Sequence, residues 1–206
     1  MAPTGQSIAQ EERQALCDLL SELGPDAPTL CAGWRSADLA AHLLVRDRRP
    51  DAIPGMTLKL KPFQNWTARL QDGLRDTLTW EDLVSHVRTG PPRPMRPLDR
   101  WINTIEYFVH HEDLRRAQLG WQPRELSSLE ETALWRSLGY TKYGPMLMSA
   151  LPRYTPPAVR LEAPGQGPIL LSNRRAGPVV RGPVGEVVMW VLGRKAAAQV
   201  EVEKAS

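Results

Sequence analysis

Cysteine and histidine are scarce in this 206-residue chain, which has 2 Cys and 4 His. Two cysteines cannot build a Cys-rich zinc module or a multi-disulfide scaffold, so any metal site would have to draw on histidines and carboxylates. Lysine is also rare. Only 5 of the 26 basic residues are Lys, and the other 21 are Arg. The formal net charge is a modest +3, and the basic residues are spread along the chain rather than gathered into a stripe. The one tight cluster, Arg46, Arg48 and Arg49, lacks the interleaved aromatics of a nucleic-acid surface, so no nucleic-acid partner is expected. Long apolar runs are absent. The longest, Val187 to Leu192, is far too short to cross a bilayer, so no membrane partner is expected either. The stretch Met1 to Gln14 is polar and carries Glu11, Glu12 and Arg13, without the apolar core of a secretory signal. A cytoplasmic location is expected, with Cys17 and Cys31 as reduced thiols. Cys17 lies in an apolar helical pattern and reads as core. Cys31 sits just before a turn and reads as a small hydrophobe, a reactive thiol being the alternative.

Hydrophobic residues make up 42% and charged residues 24%, which is ordinary globular usage and excludes a wholly disordered chain. Ser7 can cap a helix over residues 7–23, in which Ile8, Leu16, Leu19, Leu20 and Leu23 recur at helical spacing before Gly24-Pro25 stops it. A second helix starts near Ser36, with Asp38 favourable in its first turn. Residues 62–77 read as a polar helix, and Thr79 can cap a short one through Val87. After the break at Gly90-Pro91-Pro92, a long helix runs from about Pro97 to Leu119, with Trp101, Ile102, Ile105, Phe108 and Val109 as its apolar stripe. Another helix spans roughly 127–137, and 139–157 reads as a linker or docking segment.

The pattern then changes. Val159 to Leu161, Ile169 to Leu171 and Pro178 to Arg181 look like short strands, Pro183 to Leu192 like a helix, and Ala198 to Val202 like a terminal strand. The expected fold class is therefore α+β. A helical part occupies residues 1–150, and a small α/β part, residues 151–206, is too short to be comfortably stable alone.

Four histidines limit the chemistry. His86 reads as a surface residue. His110 and His111 are adjacent and diverge by roughly 100° on a helix, so one site rarely uses both. Glu106 stands four residues before His110, which puts carboxylate and imidazole on one face, one turn apart, where both can reach one ion. Such pairs are also common on solvated faces, so a third donor is needed. His42 is the natural candidate, although a lone histidine beside an apolar face is more often a satisfied core residue. Facing helices build metal sites in bundle cores in this way. Asp38 and Asp113, each one turn from a histidine, are candidates for orienting the imidazoles, with plain surface placement as the alternative.

Two motifs carry a resemblance. The run from Cys31 through Gly33, Trp34, Asp38, Leu39 and His42 to Leu43 resembles the C-x-G-W-x-x-x-D-L-x-x-H-L signature of the mycothiol-dependent maleylpyruvate isomerase N-terminal domain, part of the wider DinB/YfiT-like metalloenzyme group. The run Glu106 to Ala117 is similar to that family's second signature, E-x-x-x-H followed by an Asp and a short basic stretch. The chain also resembles an uncharacterised actinobacterial metal-binding subgroup of that family.

The resemblance implies a DinB-like up-and-down four-helix bundle followed by a small sterol-carrier-like C-terminal domain. It implies His42, Glu106 and His110 as metal ligands, with zinc the default ion and nickel, iron or manganese also suited to two imidazoles and a carboxylate. It implies a thiol-dependent transferase or isomerase acting on an electrophilic substrate, with mycothiol as the small-molecule thiol. Arg46, one turn after His42, and Arg194, at the end of the C-terminal helix, are candidates for holding an anion, against a reading as ordinary surface arginines. The rival class is a non-catalytic metal-binding or regulatory module with a structural metal. A lipid-carrier role is weaker, because the short strands carry Arg160, Glu162, Arg174 and Arg175. A monomer and a homodimer are both compatible with the sequence.

Overall fold

A computed structural model describes residues 7–52, 61–92, 96–140, 159–171 and 177–204, with backbone alone for 50, 63, 96–102 and 140. Of the segment 139–157 expected as a linker, residues 139 and 140 belong to a helix and 141–157 lie outside the described residues, as do Arg174, Arg175 and the side chains of Trp101 and Ile102. The chain divides into two compact units, residues 1–123 and 124–206.

The first unit is helical. Helix α1 (Ile8–Leu23) opens with a capping box. The Ser7 hydroxyl accepts from the Gln10 N–H while the Gln10 side chain accepts from the Ser7 N–H, so two otherwise orphaned donors are satisfied. It stops at Gly24, whose φ of 77° ends the turn. Helix α2 (Ser36–Arg48) starts where Asp38 accepts the Arg35 N–H at 2.8 Å. A 3-10 turn (Pro50–Ala52) follows, then α3 (Lys61–Thr77) and α4 (Trp80–Thr89), the latter capped by the Thr79 hydroxyl. Helix α5 (Arg96–Arg115) ends four residues earlier than its apolar pattern implies, and turns carry the chain on to Gly120.

Helix α1 packs on α4 and α5, and α2 packs on α3 and α4. Leu16, Leu20, Leu39, Leu43, Leu83, Val87, Tyr107 and Leu114 fill the space between them. Full burial of each such side chain stabilises by about 1.5–3 kcal/mol. Gly90 marks a tight point. Its φ is 71°, and an added Cβ would collide with the Arg13 guanidinium. No described helix is long and apolar enough to cross a membrane.

The second unit holds α6 (Ser128–Tyr140), strands β1 (Arg160–Glu162), β2 (Ile169–Leu170) and β3 (Val179–Arg181), α7 (Val184–Val191) and β4 (Glu201–Glu203). The strands form one sheet in the order β2-β1-β3-β4. Its central pair is parallel and its outer pairs are antiparallel. Leu161 and Val180 are buried on one face of the sheet, while Glu162 and Arg181 pair on the exposed face at 2.7 Å. Helix α7 is buried along its whole length. Helix α6 packs on it, and the Trp135 indole donates to the Gly167 carbonyl at 2.7 Å. The α+β class is as expected, and the two compact units divide between residues 123 and 124. Leu134, Trp135 and Leu138 are buried within the second unit, so the last helix groups with the strands.

Candidate metal centre

Helices α2 and α5 bring His42, Glu106 and His110 together. One ligand atom from each lies within 4.8 Å of the others. Glu106 Oε1 is 3.7 Å from His42 Nε2 and 3.4 Å from His110 Nε2, and the two rings stand nearly edge to face with centroids 5.2 Å apart. The i,i+4 spacing on α5 sets the Glu106–His110 pair, and His42 meets it from α2.

The far sides of both imidazoles are also engaged. His110 Nδ1 lies 3.0 Å from Asp113 Oδ2, and His42 Nδ1 lies 3.1 Å from the carboxamide nitrogen of Gln71 on α3. Asp113 is fully buried, and its Oδ2 also accepts the Cys31 thiol at 3.2 Å. The first motif therefore has a local physical logic. Thr29 takes the Cys31 N–H and donates to the Trp34 carbonyl, Gly33 supplies a positive φ, and the Leu30 N–H bonds the Asp113 carbonyl. This turn lays Cys31 against Asp113 and the Trp34 ring against His42, with centroids 5.0 Å apart.

Arg46 completes the cluster. Its Nε is 3.1 Å from Glu106 Oε1, and a second guanidinium nitrogen donates to Asn103. Burial opposes ionisation of Glu106, but Arg46, His110 and His42 outweigh it and hold the carboxyl well below its usual range. Burial pushes His42 down. His110 moves the other way. Burial opposes its charge, yet the bonds to Asp113, Cys31 and Glu106 prevail and raise it well above the usual imidazole value.

Not every candidate joins the cluster. Asp38 accepts from the Arg35 backbone and pairs with Arg75, so it does not orient His42; Gln71 stands in that position instead. Asp113 does contact the imidazole beside it. His111 diverges from His110 as its position on the helix requires, and its Nδ1 meets Glu12 Oε2 at 2.9 Å. Cys17 is fully buried in the core. His86 is half-buried, with Nδ1 2.6 Å from the Asp82 carbonyl oxygen. Arg194 belongs to the second unit, where its guanidinium donates to the Leu192 carbonyl. Gln71 was invisible to motif reading, since nothing in its polar helix distinguishes it. Only its partner across the interface does.

The helical unit thus brings two imidazoles and a carboxylate together, and the second unit holds a small mixed sheet. Residues 8–55 match the family model described as the Mycothiol maleylpyruvate isomerase N-terminal domain, the family that the two motifs resemble. Two similar solved structures are a mycothiol-dependent maleylpyruvate isomerase, with 15% identity and a TM-score of 0.54, and its H52A mutant, with 14% identity and a TM-score of 0.57. Each alignment covers 95% of this chain and 90% of the other, so the fold is shared across both units. No curated protein matches the chain at a significant level.

Proposed function

We propose that this chain is a metal-dependent enzyme of the maleylpyruvate isomerase type, joining a small-molecule thiol such as mycothiol to an electrophilic substrate as an isomerase or transferase. The reading rests on one observation, the convergence of His42, Glu106 and His110. The donor set fits a divalent ion, zinc by default. Two neutral nitrogens and one carboxylate are standard ligands, and three of them leave coordination open. A metal bound there would stabilise the thiolate form of an arriving thiol.

The chain's own residues prepare that site. Asp113 takes the Nδ1 proton of His110 in a hydrogen bond and so turns Nε2 toward Glu106. Gln71 does the same for His42 once its carboxamide is turned so that the oxygen, rather than the nitrogen, faces Nδ1. Arg46 keeps Glu106 anionic and fixes its orientation. Its remaining donors suit the carboxylate of a substrate or thiol. The α2 and α5 helices belong, on this reading, to a DinB-like four-helix bundle, and the second unit to a sterol-carrier-like domain.

Elemental analysis of purified protein tests the site. About one equivalent of metal is expected in the wild type, and next to none in His42→Ala or His110→Ala. Unchanged metal in both variants would remove the basis of the proposal. Thiol conjugation to a panel of electrophiles should then be lost on chelation. A metal-loaded protein inert with every thiol would favour a structural metal.

A further inference from the structure

A second concavity lies in the crease between α2, α3 and α4. It holds about 460 Å³, within the usual range of small-molecule sites. Leu44, Leu70, Leu74 and Leu78 line it with hydrocarbon. Arg48, Arg49 and Arg69 also line it, and no carboxylate does. None of the three metal-site donors takes part, so whatever binds here binds independently of them.

The three cations are committed to different degrees. Arg49 is held by Asp51 through two bonds, at 2.9 and 2.8 Å. Arg48 donates one N–H to the carbonyl of His86 at 3.0 Å, which ties it to α4. Its Nε is buried and has no hydrogen-bond partner among the described residues. Arg48 also lines the crease, so its guanidinium stands beside a ligand seated there. Arg69 is exposed and has no ion-pair partner among the described residues. A neutral hydrocarbon would leave these donors idle, and a cation would be repelled. Inorganic phosphate would leave the leucines uncovered.

We propose that this crease binds an amphipathic carboxylate, its aliphatic body on the leucines of α2 and α3 and its head between Arg48 and Arg69. Gly73 offers a clean probe. It lies in the wall of the crease, and an added Cβ there would meet nothing within 4 Å. A tryptophan at that position would project into open space and fill the site.

Calorimetric titration of the full chain with dodecanoate, dodecanol and acetate tests the inference. Dodecanoate should bind one-to-one. Dodecanol should bind about tenfold or more weakly, because it lacks the charge-assisted bonds, and acetate should not bind measurably. Gly73→Trp should abolish dodecanoate binding. Arg69→Gln, an exposed change that leaves the fold intact, should weaken the acid several-fold and leave the alcohol unaffected. Equal affinity for acid and alcohol, or undiminished binding in a folded Gly73→Trp, would overturn the proposal. So would an unchanged acid affinity in Arg69→Gln. Metal content should match the wild type in both variants, which keeps this test separate from that of the metal centre.

Discussion

Helix α5 has two polar faces, and they are built on opposite principles. On one, His111 meets Glu12 from α1 at 2.9 Å and Tyr107 donates to Asp47 from α2, with the Arg13 guanidinium 5.4 Å from the Tyr107 ring centre. His111 and Tyr107 there each face a counterpart from a neighbouring helix. On the other face a single carboxylate oxygen, Glu106 Oε1, is approached by nitrogens of His42, Arg46 and His110. Burial alone does not separate the two faces, since His110 and His111 are similarly buried. Convergence does. One ligand atom each from His42, Glu106 and His110 lies within 4.8 Å of the others, and further side chains hold their far ends. A closed pair serves stability; a set of donors aimed at one point suits a guest.

The sharpest way to break this comparison is to delete the adjacent histidines one at a time. His110→Ala should abolish metal binding, seen as loss of the stoichiometric ion on dialysis. His111→Ala should keep the ion yet cost about 1–3 kcal/mol of stability, because the buried hydrogen bond to Glu12 is lost. Urea unfolding of the metal-loaded proteins measures the second effect. If His111→Ala lost the metal and His110→Ala did not, the assignment of the two faces would be reversed.

A smaller effect is expected one layer out. Asp113→Asn and Gln71→Leu leave every ligand in place but alter the groups that orient the imidazoles. Each should weaken metal affinity by roughly 10–100-fold in competition with a chromophoric chelator. Asp38→Asn, by contrast, should do nothing to affinity, since Asp38 serves the helix start and Arg75. An effect at Asp38 equal to that at Asp113 would show that general surface charge, rather than orientation, sets the affinity.

Proton uptake and release sharpen the picture further. The metal-free fold raises His110 well above the ordinary imidazole range, which favours its protonated form. A ligand must be neutral, so metal uptake should release that proton and affinity should fall as the pH is lowered. The linkage sign follows from the same shift. Charged His110 stabilises the metal-free protein fully below the unfolded imidazole value, and that contribution is lost as pH rises through the raised folded value. Calorimetry in buffers of different ionisation enthalpy counts the released proton. His111→Ala should release the same number.

Much of the helical unit could be read from the chain because its information is local. Ser7, Thr79 and the glycines at 24 and 90 mark ends, and the leucine spacing marks buried sides. Glu106 and His110 were legible for the same reason, since four residues on one helix fix their relation. His42 needed either the motif or the packing of α2 against α5. Gln71, the Cys31–Asp113 bond and the grip of Arg46 on Glu106 depend on contacts between segments far apart in sequence, and no local period encodes them. The grouping of helix α6 depends on such distant contacts too. Helix α6 has the composition of its predecessors, and only its packing on α7 assigns it to the sheet.

The smallest effect concerns the two thiols, which repeat the contrast at lower stakes. Cys17 is fully buried, and burial pushes its thiol up to about 12. At pH 8 only roughly one part in ten thousand is thiolate, so a thiol reagent should fail to reach or react with it in the folded protein. Cys31 is half-buried and bonded to Asp113 at the margin of the metal centre. Ellman's reagent should therefore titrate one thiol in native protein and two in guanidinium, and Cys31→Ser should leave none accessible before unfolding. Because Asp113 also holds His110, a bulky adduct on Cys31 should loosen the ion more than the serine substitution does. Equal reaction rates at both cysteines would mean that α1 opens readily and that the closed face of α5 is less closed than its contacts indicate.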